Sequence, residues 1–82
     1  MSKDLSSLKP GESAIITGLV AEACLEQRLL ALGFRAGKRV EILRKAWLKG
    51  PLHVRVGMTE VMVRCRDAGV IKITSLAADL NR

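Results

Sequence analysis

The chain has almost no aromatic residues: of its 82 residues none is Tyr, one is Phe and one is Trp. Small proteins that read single-stranded nucleic acid stack bases on exposed rings, and proline-rich peptides are held in aromatic-lined grooves. Only Phe34 and Trp47 are on hand, and Phe34 is expected in the core, so neither surface has its raw material and nucleic acid is a disfavoured partner. Histidine is equally scarce. His53 falls on the outward face of an expected strand with no acid beside it on that face, so no nucleophile–base pair can be written. Carboxylates are few and scattered, and the Walker loop and the GxGxxG fingerprint are missing. These absences argue against an enzyme. Cys24 and Cys65 stand far apart with no CxxC pairing and are expected as small buried residues in a reducing compartment. Together with His53 they are the candidate metal ligands. They fall on a helix and two separate strands with none of the short spacings of structural zinc, and no metal or cofactor is expected. No apolar run approaches the roughly 20 residues that span a bilayer. The N-terminal segment carries Asp4 and no apolar core, unlike a secretory or transit peptide, and a cytoplasmic location is expected.

What is present centres on Leu29-Leu30-Ala31-Leu32-Gly33-Phe34-Arg35-Ala36-Gly37, where a helical period stops and a strand period begins. Leu25, Leu29 and Leu32 lie on one helical face. Gly33 suits the left-handed conformation that closes a helix, and Phe34 falls where a hydrophobic contact back to the last turn is common. The spacing predicts a helix over 21–32, with no Ser, Thr, Asp or Asn to cap its start, and Gly37 opening a second turn. Burial of Leu25, Leu29 and Leu32 would stabilise the fold by about 1.5–3 kcal/mol each before entropy is counted.

Around that helix the pattern is β. Residues 1–9 read as a loose lead-in, Lys9-Pro10-Gly11-Glu12 as a turn, and 13–20 as a core strand with Gly18 a candidate bulge. Residues 38–46 alternate, with Val40 and Ile42 inward and Arg39, Glu41, Leu43 and Lys45 outward. Gly50-Pro51 breaks the strand after a loop carrying Trp47 and Leu48. Strands follow at 52–56, 60–65 (Cys65 inward, Glu60, Met62 and Arg64 outward) and 70–74, with a turn at 66–69 and a tail over 76–82. A single domain over 1–82 is expected, mainly β: a small, strongly bent barrel of about five strands with one α-helix between strands one and two.

The net charge of +6 is concentrated. Residues 35–66 carry nine Lys and Arg against Glu41 and Glu60, a net of +7, whereas the first 34 residues are slightly acidic. Such a segment attracts an acidic partner: nucleic acid, an anionic membrane face or an acidic protein surface. Trp47-Leu48, flanked by Lys45 and Lys49, reads either as an apolar anchor inside a basic rim or as a flap folded over the barrel.

Taken together, Leu8-Lys9-Pro10-Gly11-Glu12, the Arg28 to Gly37 stretch, Val40-Glu41-Ile42-Leu43-Arg44, Gly50-Pro51-Leu52-His53-Val54-Arg55-Val56 and Ala68-Gly69-Val70-Ile71-Lys72-Ile73 resemble the ferrous-iron transport protein A family, FeoA. The resemblance covers nearly the whole chain. It implies an SH3-like barrel, a cytoplasmic bacterial location and a non-enzymatic accessory role to the membrane transporter FeoB, which carries a GTP-binding domain. FeoA-like domains also end some iron-dependent repressors. No helix-turn-helix precedes the domain in this sequence, which favours the free-standing transport accessory. The resemblance carries no catalytic residue with it. The expected docking residues for FeoB's cytoplasmic G domain, or for the adjacent anionic membrane, are Arg44, Lys45, Trp47, Lys49, Arg55, Met62 and Arg64. The alternatives are a small basic nucleic-acid-binding barrel and a metal-sensing module.

Overall fold

Alternation of apolar and polar residues favours strands, and among the described residues there are six. The computed structural model describes residues 3–75. In chain order these form β1 (Lys3–Asp4), a 3₁₀ turn (Leu5–Ser7), β2 (Ser13–Leu19), α1 (Ala23–Leu32), β3 (Arg39–Lys45), β4 (Leu52–Val56), β5 (Thr59–Val63), α2 (Cys65–Ala68) and β6 (Ile71–Ser75). All pairings are antiparallel, and the sheet runs β1-β6-β2-β3-β4-β5. The mainly β, SH3-like class expected from the sequence holds, with one strand more than expected. The tail over 76–82 lies outside the described residues.

The hinge around Gly33 is built as its residues dictate. Gly33 adopts φ 108°, its N–H reaches Leu30 O at 3.0 Å, and the Phe34 N–H reaches Leu29 O at 3.0 Å. These two bonds are the Schellman closure of a helix C-terminus. They bring Phe34, fully buried, into the same apolar cluster as Leu29. The start of α1 has no side-chain cap, and Glu22 merely precedes it in extended conformation. The three-leucine plug is a correction. Leu29 is buried and Leu25 half-buried, but Leu32 remains 43% exposed, so only Leu29 gains the full burial term. Leu32, in the last turn of α1, instead lines a surface groove with Met62 and Val63 of β5.

The lead-in is not loose. Asp4 accepts from the Ser6 backbone N–H at 2.9 Å and from the Ser6 hydroxyl, Ser7 Oγ donates to Asp4 O at 2.7 Å, and Leu8 N–H donates to Leu5 O at 3.2 Å. This turn drives Leu5 and Leu8 into the core, and β1 pairs with β6 through Lys3↔Ile73. Polar Asp and Ser here are cap and turn residues rather than signs of a solvated arm.

Two bulges set which side chains face out. Gly18 ends a register shift in the β2–β6 ladder, as its placement in the sequence suggested. A second shift between Ile42 and Arg44, absent from the alternation pattern, leaves Leu43 as the extra residue of β3. Beyond it the phase inverts. Arg44 pairs with outward-facing His53, and Lys45 pairs with buried Leu52. Lys45 therefore does not stand on the outer face where strict alternation put it.

Candidate docking surface

The outer face of β3, β4 and β5 carries two cross-strand rows. In the first, Glu41, Arg55 and Glu60 are neighbours, with Arg55 Nη1 3.5 Å from Glu41 Oε1 and Arg55 Nη2 3.3 Å from Glu60 Oε2. In the second, Arg44, His53 and Met62 are neighbours, and His53 Nε2 lies 3.1 Å from Glu60 Oε1. An acid does stand beside His53, contrary to expectation: it comes from the next strand, where sequence spacing does not reveal it. The Arg55 guanidinium is shared by two carboxylates and presents little free charge. Exposed pairs of this kind contribute about 0–1 kcal/mol each, and they organise the face more than they stabilise it.

Lys45 is tied as well. Its Nζ donates to Ser6 O and Leu8 O, each at 2.9 Å, and so fastens β3 to the N-terminal 3₁₀ turn. Of the seven expected docking residues, Arg44, Trp47, Lys49, Met62 and Arg64 are exposed and make no side-chain hydrogen bond or ion pair among the described residues; Lys45 and Arg55 are engaged internally. Trp47 and Leu48 are 89% and 92% exposed, so the loop is not a flap folded over the barrel.

Three depressions meet around these residues. A groove of about 410 Å³ runs between α1 and the end of β5, floored by Leu25, Leu29, Leu32, Met62 and Val63 and flanked by Arg28, Arg64 and Asp67. A second of about 670 Å³ is lined by Lys49, Gly50, Pro51, Arg64, Cys65 and Arg66. A third of about 300 Å³ is lined by Arg44, Lys45, Ala46, Pro51, His53 and Met62. Arg64 is common to the first and second, Pro51 to the second and third, and Met62 to the first and third, so the three form one continuous belt. Part of its apolar floor comes from Leu32 and half-buried Leu25, which sequence reasoning missed by placing all three leucines in the core.

The cysteines depart from expectation. Cys24 is exposed on α1, and Cys65 is half-buried at the first position of α2 rather than inward on a strand. The turn read at 66–69 is in fact that one-turn helix, with Ala68 as its buried residue. Cys24, Cys65 and His53 are not brought together, and among the described residues no group of three or more His, Cys, Asp and Glu side chains could hold a metal ion. Among them, too, no helix is long and apolar enough to cross a membrane.

Comparison with known proteins fits this geometry. The FeoA domain family matches residues 3–75. The chain belongs to the FeoA family. The FeoA protein of Chlorobium tepidum is 33% identical with a TM-score of 0.84, over 92% of this chain and 71% of that one. The zinc complex of Stenotrophomonas maltophilia FeoA, described as a prokaryotic SH3 domain protein, is 29% identical with a TM-score of 0.75, over 90% of this chain and 89% of that one. A fusion of Fe(2+) transport protein A with the Fe(2+) transporter FeoB from Porphyromonas gingivalis is 28% identical over 75 residues. That match covers 92% of this chain and 9% of the fusion protein, so the FeoA-like domain here corresponds to a small part of the longer polypeptide.

Proposed function

We propose that this FeoA domain is a non-enzymatic, cytoplasmic accessory of bacterial ferrous-iron uptake that docks on the cytoplasmic side of FeoB and modulates it. The observation that carries the reading is the fusion: a domain similar to nearly all of this chain is joined to FeoB in one polypeptide. Covalent linkage of two modules is advantageous when they meet, because it raises their effective concentration without any new contact. The apolar groove between α1 and β5 supports the reading from this side. It offers exposed Leu32 beside Met62, which is 61% exposed, and its two cations, Arg28 and Arg64, outnumber Asp67 at the rim and favour an acidic counterpart.

Calorimetry against the soluble G domain of FeoB, with and without guanine nucleotide, and pull-down with whole FeoB in membranes test it. Binding is expected, and Met62→Asp, which places a charge beside the apolar floor, is expected to weaken it by at least tenfold, with Arg64→Glu weakening it less. Met62 is on the surface, so neither variant disturbs the core. Absence of binding to both forms of FeoB rejects the reading.

A further inference from the structure

The loop between β3 and β4 is a prong closed by backbone hydrogen bonds. Ala46 N–H donates to Pro51 O and Gly50 N–H to Trp47 O, each at 3.1 Å, closing a four-residue turn over Trp47-Leu48-Lys49-Gly50. Its two central residues, Leu48 at φ 56° and Lys49 at φ 61°, are the only non-glycine residues with positive φ among the described ones. Positive φ at both central positions is the type I′ turn, which ordinarily takes Asn-Gly because side chains resist it. Gly50 closes the base so tightly that a Cβ there would come within 2.6 Å of the Ala46 Cβ. Strain of this kind persists where the surrounding structure imposes it, and such positions gather at working surfaces. Here it holds the chain's one Trp and a Leu almost wholly in water.

We propose that this prong is a membrane hook, which inserts Trp47 and Leu48 into the headgroup region of an anionic bilayer while the flanking cations lie on its surface. Shape favours a lipid over a protein. The apolar pair sits on a convex tip, and a fluid interface closes around a tip where a protein would need a preformed socket. Composition agrees: Trp settles at headgroup depth because its ring is apolar and its N–H polar, and lysine stems can run along apolar surface while their ammonium groups stay at the phosphates. Charge agrees too. The depressions on either side of the prong contribute Arg44, Lys49, Arg64 and Arg66, and no acidic residue lines either one. A cation near an anionic bilayer raises partitioning by about fivefold, so this rim and a shallow apolar anchor act together. The inference concerns lipid alone and stands or falls independently of FeoB.

Trp47 is the only tryptophan and so reports its own environment. The purified chain is mixed with vesicles of phosphatidylcholine containing phosphatidylglycerol and, separately, with vesicles of phosphatidylcholine alone. Expected on the anionic vesicles are a blue shift of the Trp47 emission, quenching by brominated acyl chains, and co-sedimentation that weakens as salt rises; the neutral vesicles give none of these. Leu48→Asp, at a fully solvated position, is expected to lower co-sedimentation on the order of tenfold, and Lys49→Glu to lower it by more than the fivefold of one lost cation. Unchanged Trp47 emission on anionic vesicles overturns the hook. Equal sedimentation of the parent chain and Leu48→Asp also overturns it, leaving only a charged patch. Loss of FeoB binding in detergent by Leu48→Asp, with no vesicle binding by the parent chain, reassigns the prong to a protein socket.

Discussion

Gly33 turns a helical period into a strand period through a single backbone angle, φ 108°. A Cβ at that position would meet Val56 Cγ1 at 3.5 Å, an ordinary contact, so the space is available and the conformation is the obstacle. Gly33→Ala is therefore expected to cost about 1–2 kcal/mol, the penalty of a left-handed conformation for an L residue, measured as a lower urea midpoint with unchanged slope. This position was legible because the two periods meet there and a Schellman closure needs no distant partner. Other residues depended on neighbours far along the chain. Glu60 reaches His53 and Arg55 because β4 and β5 pair in one register, and nothing in the local spelling of His53 announces it. Lys45 has the same history: its two acceptors, Ser6 O and Leu8 O, lie almost forty residues away.

Among the elements, the N-terminal β1 and 3₁₀ turn changed most between expectation and structure. They read as a loose lead-in, yet Leu5 and Leu8 recur three apart and both are buried. Leu5→Ala is expected to lower stability by about 2–5 kcal/mol, as truncation of a fully buried leucine does; chemical denaturation measures it, and a loose lead-in would leave the midpoint unmoved. The helix went the other way. Its three leucines recur at the helical period, but only Leu29 is fully buried, and Leu32 remains on the groove. In β3 the bulge at Leu43 overrides strict alternation, exchanging the roles of Arg44 and Lys45. Bulges carry little sequence signal unless a glycine marks them, which is why the one beside Gly18 was anticipated and this one was not.

For the molecule as a whole, the net charge is +6, and the stretch that builds β3, β4, β5 and the start of α2 by itself carries +7. Binding to FeoB through that side is expected to weaken steadily with ionic strength, since the Debye length falls from about 10 Å at 0.1 M to about 3 Å at 1 M. Calorimetry across a salt series measures this, and a salt-independent affinity would assign the binding to the apolar groove floor alone. By itself, the amino-acid order determined the mainly β class, the helix and its glycine stop, the strand faces up to the first unmarked bulge, and the basic half of the chain. These are properties of near neighbours, fixed by side-chain period and backbone freedom. Only the tertiary structure decided which cations remain free, that Trp47 and Leu48 project into water, and that Met62, Arg64 and Pro51 join three depressions into one belt. Those outcomes depend on strand register, on bulge phase and on contacts between distant segments, which exist only once the sheet has closed.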